Sequence, residues 1–177
     1  SWLVRKMPLI TGGGIPQTRG VINGRVSYKH PFIELVSKFV GGILALSTGL
    51  SLGREGPSVQ IGSYVGCLVS KWGHVLAGER KQLLAAGAGA GLAAAFSAPL
   101  ASSLLVIESI ERFDAPKTAI TTLLAGVVAG GVASWMFPMN AYAHIDAIVP
   151  ALTFWGQVKL FLLLAAVISI AGKLFSL

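Results

Sequence analysis

The sequence predicts an all-α integral membrane protein built of tilted and broken helices, and three observations predict it. Hydrophobic residues make up 54% of the 177 residues and charged residues only 12%, with a mean hydropathy of +0.73. Soluble domains carry about 25% charged residues, so the deficit points to lipid as the solvent. The few charges are also clustered. Gln82–Ile107 and Thr118–Ile145 hold no Lys, Arg, Asp or Glu, and each is longer than the roughly 20 residues that cross a bilayer core. Finally, prolines interrupt the apolar runs: Pro57 follows Gly53-Arg54-Glu55-Gly56, and Pro99 follows Phe96-Ser97-Ala98. Proline lacks a donor and fixes φ, which suits the first turn of a helix. The helices are therefore expected to start and stop within the membrane.

Taken in order, residues 1–31 mix Gly, Pro and basic residues. Apolar segments follow near 32–52, 57–77, 82–97, 99–111, 117–137 and 154–175. Helix is the natural reading of each, because a spanning segment must satisfy its own backbone hydrogen bonds. Short loops are expected at Gly78–Lys81 and Arg112–Pro116, and a longer one at Met139–Thr153, which contains His144, Asp146 and Pro150. The 22 glycines suit helices that approach closely in lipid. The chain starts abruptly at Ser1 and ends at Leu177 beside an apolar run. Residues 1–177 are thus expected to form one part of a larger transmembrane domain.

The formal charge of +7 does not point to nucleic acid, since the basic residues are scattered outside Arg5–Lys38 and Arg80–Lys81. In a membrane protein such groups mark a cytoplasmic face or attract anions. The lone Cys67 excludes an internal disulfide and reads as a buried packing residue. No metal site is expected, because His30, His74 and His144 have no ligand spacing. No cofactor is expected either, and the Gly-Lys-Ser/Thr of a phosphate-binding loop is missing. Gly89-Ala90-Gly91-Leu92-Ala93-Ala94, with Glu108 further on, imitates a dinucleotide-binding fingerprint. That fingerprint must follow a strand, whereas Lys81–Ala86 favours helix, so an enzyme of this kind is a remote alternative. A non-transporting membrane scaffold is the nearer one, but it gives no reason for a glutamate between glycines at a helix start.

Two glycine-rich helix starts carry the functional signal. Gly12-Gly13-Gly14-Ile15-Pro16 allows unusual φ values and close approach of an ion to the backbone; alone it also fits a plain turn. Gly53-Arg54-Glu55-Gly56-Pro57-Ser58-Val59-Gln60-Ile61-Gly62 places a charged pair in a run that is otherwise apolar from Phe39 to Ser70. Ionisable residues at membrane depth are functional candidates, although Arg54 and Glu55 could also neutralise each other. Helix N-termini expose free N–H groups and the positive end of the dipole, a combination that binds anions.

GREGPSVQIG at 53–62 is similar to the glutamate-bearing signature of the CLC family of chloride channels and chloride/proton exchangers. GGGIP at 12–16 resembles its first signature, usually GSGIP. Leu84–Ala101, followed by Val106-Ile107-Glu108, resembles its third block. The resemblance is closest over residues 12–112. It implies half of an inverted-repeat fold, a homodimer with one anion pathway per subunit, and chloride or a similar anion as substrate, with protons as a candidate second one. It implies an anion site at Gly12, Gly13, Gly14, Ile15, Arg54, Gly56 and Pro57, gated by Glu55. The ionised carboxylate would compete with the anion for the same N–H donors, and protonation would remove the competitor. Subunit contact is expected near residues 99–137.

Two departures matter. Gly13 replaces the usual serine and removes a hydroxyl from the anion site. An exchanger's internal acidic residue precedes an Ile-Asp pair; aligning Ile145-Asp146 with it puts Ala141 at that position. Alanine cannot carry a proton, which favours a channel or an uncoupled transporter.

Overall fold

The computed structural model describes residues 2–50, 53–111, 116–137 and 154–175. Among them are eight α-helices and no strand: α1 (Trp2–Lys6), α2 (Ile15–Ile22), α3 (Pro31–Ser47), α4 (Glu55–Trp72), α5 (Ala77–Phe96), α6 (Pro99–Val106), α7 (Pro116–Met136) and α8 (Phe154–Phe175). A 3₁₀ turn, Pro8–Ile10, precedes α2, and a π-helical turn, Ile107–Glu111, continues α6. The chain divides into two compact units, Ser1–Ala141 and Tyr142–Leu177. In the second, α8 runs for 22 residues, about 33 Å at 1.5 Å per residue.

Proline sets several of the starts. Pro31, Pro99 and Pro116 are the first residues of their helices and Pro16 the second of α2. At α3 the start is reinforced by Glu34, whose Oε1 accepts from the backbone N–H groups of Lys29 and His30, each at 3.2 Å. Two boundaries differ from the sequence reading. α4 begins at Glu55 rather than Pro57, so the glutamate belongs to the first helical turn. Gly78–Lys81 is not a loop but the opening turn of α5. The reason is local: Glu79 Oε2 accepts the Leu76 N–H at 3.4 Å, the reach-back of an acid at the third helical position. A helix N-terminus also favours such a negative charge.

In the first unit α4 packs on α5, and α5 on both α6 and α7. Small residues make the closest approach possible. Gly62 and Gly66 of α4 face Gly87 and Gly91 of α5; a Cβ at Gly62 would collide with the Gly87 carbonyl, and one at Gly87 with the Gly62 carbonyl. Two small-xxx-small stripes thus cross each other, as expected where helices associate in lipid. On α7, Thr118, Thr122, Gly126 and Gly130 are buried at four-residue spacing. Ser103 Oγ of α6 donates to the Thr122 carbonyl at 3.2 Å.

A core of Val59, Tyr64, Leu84 and Val106 is buried, but the burial pattern otherwise departs from that of a water-soluble bundle. Thr18, Gln60, Ser63, Ser103 and Thr122 are fully buried, whereas Leu124 is 63% and Trp135 83% exposed. On α3, Phe32, Phe39 and Leu44 are likewise exposed. Apolar surface of that extent needs an apolar environment. Among the described residues one helix, Pro116–Met136, is both long and apolar enough to cross a membrane, and Pro99–Ser109 and Trp155–Ser169 are shorter apolar helices.

Candidate anion site at two helix starts

The first glycine run forms the entry to α2 through two left-handed residues. Gly12 has φ +64° and Gly14, the N-cap, φ +99°. The region is costly for residues with a Cβ. The chain therefore turns sharply and delivers Ile15 and Pro16 as the first helical residues. At the second start Arg54 is the N-cap and Glu55, Gly56 and Pro57 are the first three helical residues. Ser58 Oγ donates back to the Arg54 carbonyl at 2.8 Å.

These two starts, forty residues apart in sequence, touch through their backbones. A Cβ at Gly56 would collide with the Gly13 carbonyl oxygen, and one at Gly14 would lie 2.8 Å from the Gly56 carbonyl oxygen. Gly14 and Gly56 are buried; Gly12, Gly13, Arg54 and Glu55 are exposed, and Ile15 and Pro57 are half-buried. Ile15 and Glu55 line one apolar cavity of about 330 Å³, together with Leu92, Phe96, Ala98, Ala101, Ser102 and Leu105. Arg54 lies over the Phe96 ring, 5.5 Å from its centroid, a cation–π arrangement. All eight residues expected from the sequence therefore lie on the two touching helix starts, and Glu55 and Ile15 share one cavity.

The structure adds supporting residues that the sequence reading gave no role. Lys38 of α3 is only 7% exposed. Its ammonium donates to the carbonyls of Ile10 (3.0 Å) and Gly12 (2.7 Å), holding the segment that leads into α2. Gln60 of α4 is fully buried, and its Nε2 donates to the Leu9 carbonyl at 2.7 Å and to Tyr64 Oη at 3.1 Å. Its Oε1 lies 2.7 Å from where a Gly14 Cβ would be. Lys38 was detectable as one of two charges, with Glu34, in the apolar segment 32–52. Gln60 was hidden inside the motif because glutamine carries no charge to flag it. Tyr28, in the connection after α2, packs against Tyr64 with ring centroids 4.3 Å apart and planes tilted by 48°, and donates to Ser63 Oγ at 3.4 Å. Burial pushes the Tyr28 phenol above its ordinary range, so it stays a neutral donor.

Other readings find no support in this geometry. Gly89–Ala94 lies in the middle of α5, where the backbone N–H groups are engaged in the helix and cannot cradle a pyrophosphate. Ala141, His144 and Asp146 lie outside the described residues.

The family profile for the voltage gated chloride channel matches residues 1–177. Among curated proteins, the chain is 37% identical over 183 residues to the H(+)/Cl(-) exchange transporter ClcA of Citrobacter koseri, covering 99% of this chain and 37% of that protein. It is 36% identical to the transporters of the same name from Vibrio cholerae, over 97% of this chain and 37% of that protein, and from Salmonella paratyphi B, over 99% and 37%. The chain thus spans 37% of the length of the curated relatives it matches.

The contact between the starts makes opposite demands on neighbouring glycines. Gly56→Ala puts a methyl group into the Gly13 carbonyl and should cost about 1–3 kcal/mol while separating the two starts. At Gly13 a Cβ meets nothing within 4 Å, so Gly13→Ser should stay within about 0.5 kcal/mol of the parent and add a donor that alters chloride-to-nitrate preference. Melting of the full-length protein in detergent and paired chloride and nitrate flux assays check this. Unchanged melting of Gly56→Ala would contradict the backbone contact.

Proposed function

The chain belongs to the voltage-gated chloride channel family, and on that premise we propose that the full protein moves chloride-like anions across a membrane past the junction of α2 and α4, with Glu55 as gate. The observation that carries this reading is the backbone contact between Gly13–Gly14 and Gly56. Each helix start carries about half a positive charge. Half a charge 4 Å from an anion is worth about 2 kcal/mol at an effective dielectric of 20, against about 0.5 kcal/mol in bulk water. Two adjacent starts therefore hold an anion where one would hold it weakly, yet not so tightly that it cannot leave. Conduction requires both conditions. No covalent step is involved. The protein would be a multi-pass membrane protein, and residues 1–177 one part of its transmembrane domain, with the site completed by other parts.

Glu55 is the first residue of α4 and lines the cavity beside Ile15. Its ionised carboxylate and a permeating anion require the same amides, so they exclude each other. Protonation turns the side chain into a weak competitor and opens the path. Anion flux should therefore rise as pH falls. The names of the relatives support protons as the counter-substrate. The alignment of Ala141 with an acidic relay supports a second reading, uncoupled anion movement. Homodimerisation through residues 99–137 belongs to the same proposal. Exposed Leu100, Leu104, Ile120, Leu124 and Val128 on α6 and α7 supply apolar surface for it, and cross-linking in membranes that yields only monomers would count against it.

Glu55→Gln should mimic the protonated gate. In liposomes holding the full-length protein, paired anion-efflux and proton-uptake assays should show raised flux at neutral pH, a flattened pH dependence and no proton uptake. Parent-like flux with unchanged pH dependence would sink the gate assignment. Arg54→Gln is the control. A purely electrostatic role for the charged pair would make it the stronger of the two variants.

A further inference from the structure

A cavity away from the proposed anion site carries a different chemistry. It has a volume of about 550 Å³ and opens between the end of α2, the connection that follows it and the first turns of α5. α2 has eight residues, so this end lies about 12 Å from the Gly14 junction along its axis. The wall has two chemistries. Arg25, Arg80 and Lys81 contribute three cations and no acidic residue lines the cavity, while Val21, Ile22, Val26 and Leu84 form an apolar side. Among the described residues none of the three cations is in an ion pair; Arg80 donates to Cys67 Sγ at 3.5 Å, which orients its guanidinium and leaves other donors for a ligand. Ala77, the first residue of α5, also lines the cavity, while Glu79 turns back to cap that helix start and is not among the lining residues.

From this arrangement we infer that the cavity binds the phosphate of an anionic phospholipid headgroup. Three cations without a carboxylate select a phosphate, to which arginine presents its donors in a fork. The apolar wall beside them selects a phosphate that carries a hydrocarbon body. A free inorganic anion would leave Val21, Ile22, Val26 and Leu84 facing water. The location agrees: basic residues at helix ends mark the cytoplasmic side, and basic pockets between helices on that side recognise anionic headgroups. Arg25, Lys29, Lys71, Arg80 and Lys81 all fall at this end of α2, α4 and α5 or on the connections between them. Such a lipid would bridge α2 to α5 and couple membrane composition to the placement of the α2 start.

Native mass spectrometry of the full-length protein in detergent provides the test, with dioleoyl phosphatidylglycerol, dioleoyl phosphatidylcholine and inorganic phosphate as probes. Phosphatidylglycerol should be retained about tenfold or more over phosphatidylcholine. Arg25→Gln/Arg80→Gln/Lys81→Gln should abolish that preference, since each charge near a headgroup contributes about fivefold. Lys29→Gln/Lys71→Gln/Lys117→Gln, equal in charge lost but outside the cavity, should keep it. Arg25→Gln alone, on an exposed connection, should lose about fivefold and covers the case in which the triple variant does not fold. An equal lipid preference in Arg25→Gln and the parent, an equal loss in the matched variant, or binding of inorganic phosphate as tight as that of phosphatidylglycerol would each overturn the assignment.

Discussion

Two helices can place their N-termini side by side only if nothing stands between the backbones. Here that condition is met by the absence of two side chains, at Gly14 and Gly56. Gly13 and Gly14 at the entry to α2 lie against Gly56 in the first turn of α4, where any Cβ at Gly14 or Gly56 would meet backbone or Gln60. Like-signed dipole ends repel, so their adjacency costs energy until an anion, or the carboxylate of Glu55, lies between them. The surrounding residues counter that cost. Lys38 fixes the carbonyls of Ile10 and Gly12, and Gln60 fixes that of Leu9, so the segment before α2 cannot relax away. Lys38 and Gln60 are nearly or fully buried, where hydrogen bonds are stronger and harder to replace with water.

The same use of small residues recurs away from the site. Gly62 and Gly66 against Gly87 and Gly91 bring α4 and α5 into backbone contact, which fixes the direction of α4 and hence of its N-terminus. α5 in turn packs on α7 where Gly89 meets Thr122 and Ala93 meets Gly126, and Ser103 ties α6 to α7. The proposed anion chemistry at one end of α4 therefore rests on close packing along its length. In lipid, apolar side chains give no preference for a neighbouring helix over an acyl chain, so close approach and interhelical hydrogen bonds set the geometry. That explains why small and polar residues share the interior with Tyr64, Leu84 and Val106 while many large apolar residues face outward.

Much of this was legible in the sequence because proline and glycine act locally. Pro31, Pro99 and Pro116 begin helices wherever they stand, and Gly12 and Gly14 adopt the left-handed turn that only glycine enters cheaply. Misreadings arose where a tertiary or capping partner decides. Gly78–Lys81 looked like a loop because it is charged, yet Glu79 satisfies the Leu76 N–H and the helix starts there. The role of Lys38 depends on carbonyls 26 and 28 residues away, which no local pattern displays. The pairing of the two glycine stripes was equally hidden, since spacing within one helix does not name the helix it meets.

The central claim is that the two helix starts jointly bind one anion. Diffraction from crystals of the full-length protein grown in bromide measures this directly. The account predicts an anomalous peak within hydrogen-bonding distance of backbone amides at both Gly13–Ile15 and Glu55–Pro57, strengthened in Glu55→Gln. A peak touching one start only, or none at the junction while bromide orders elsewhere in the protein, would contradict it.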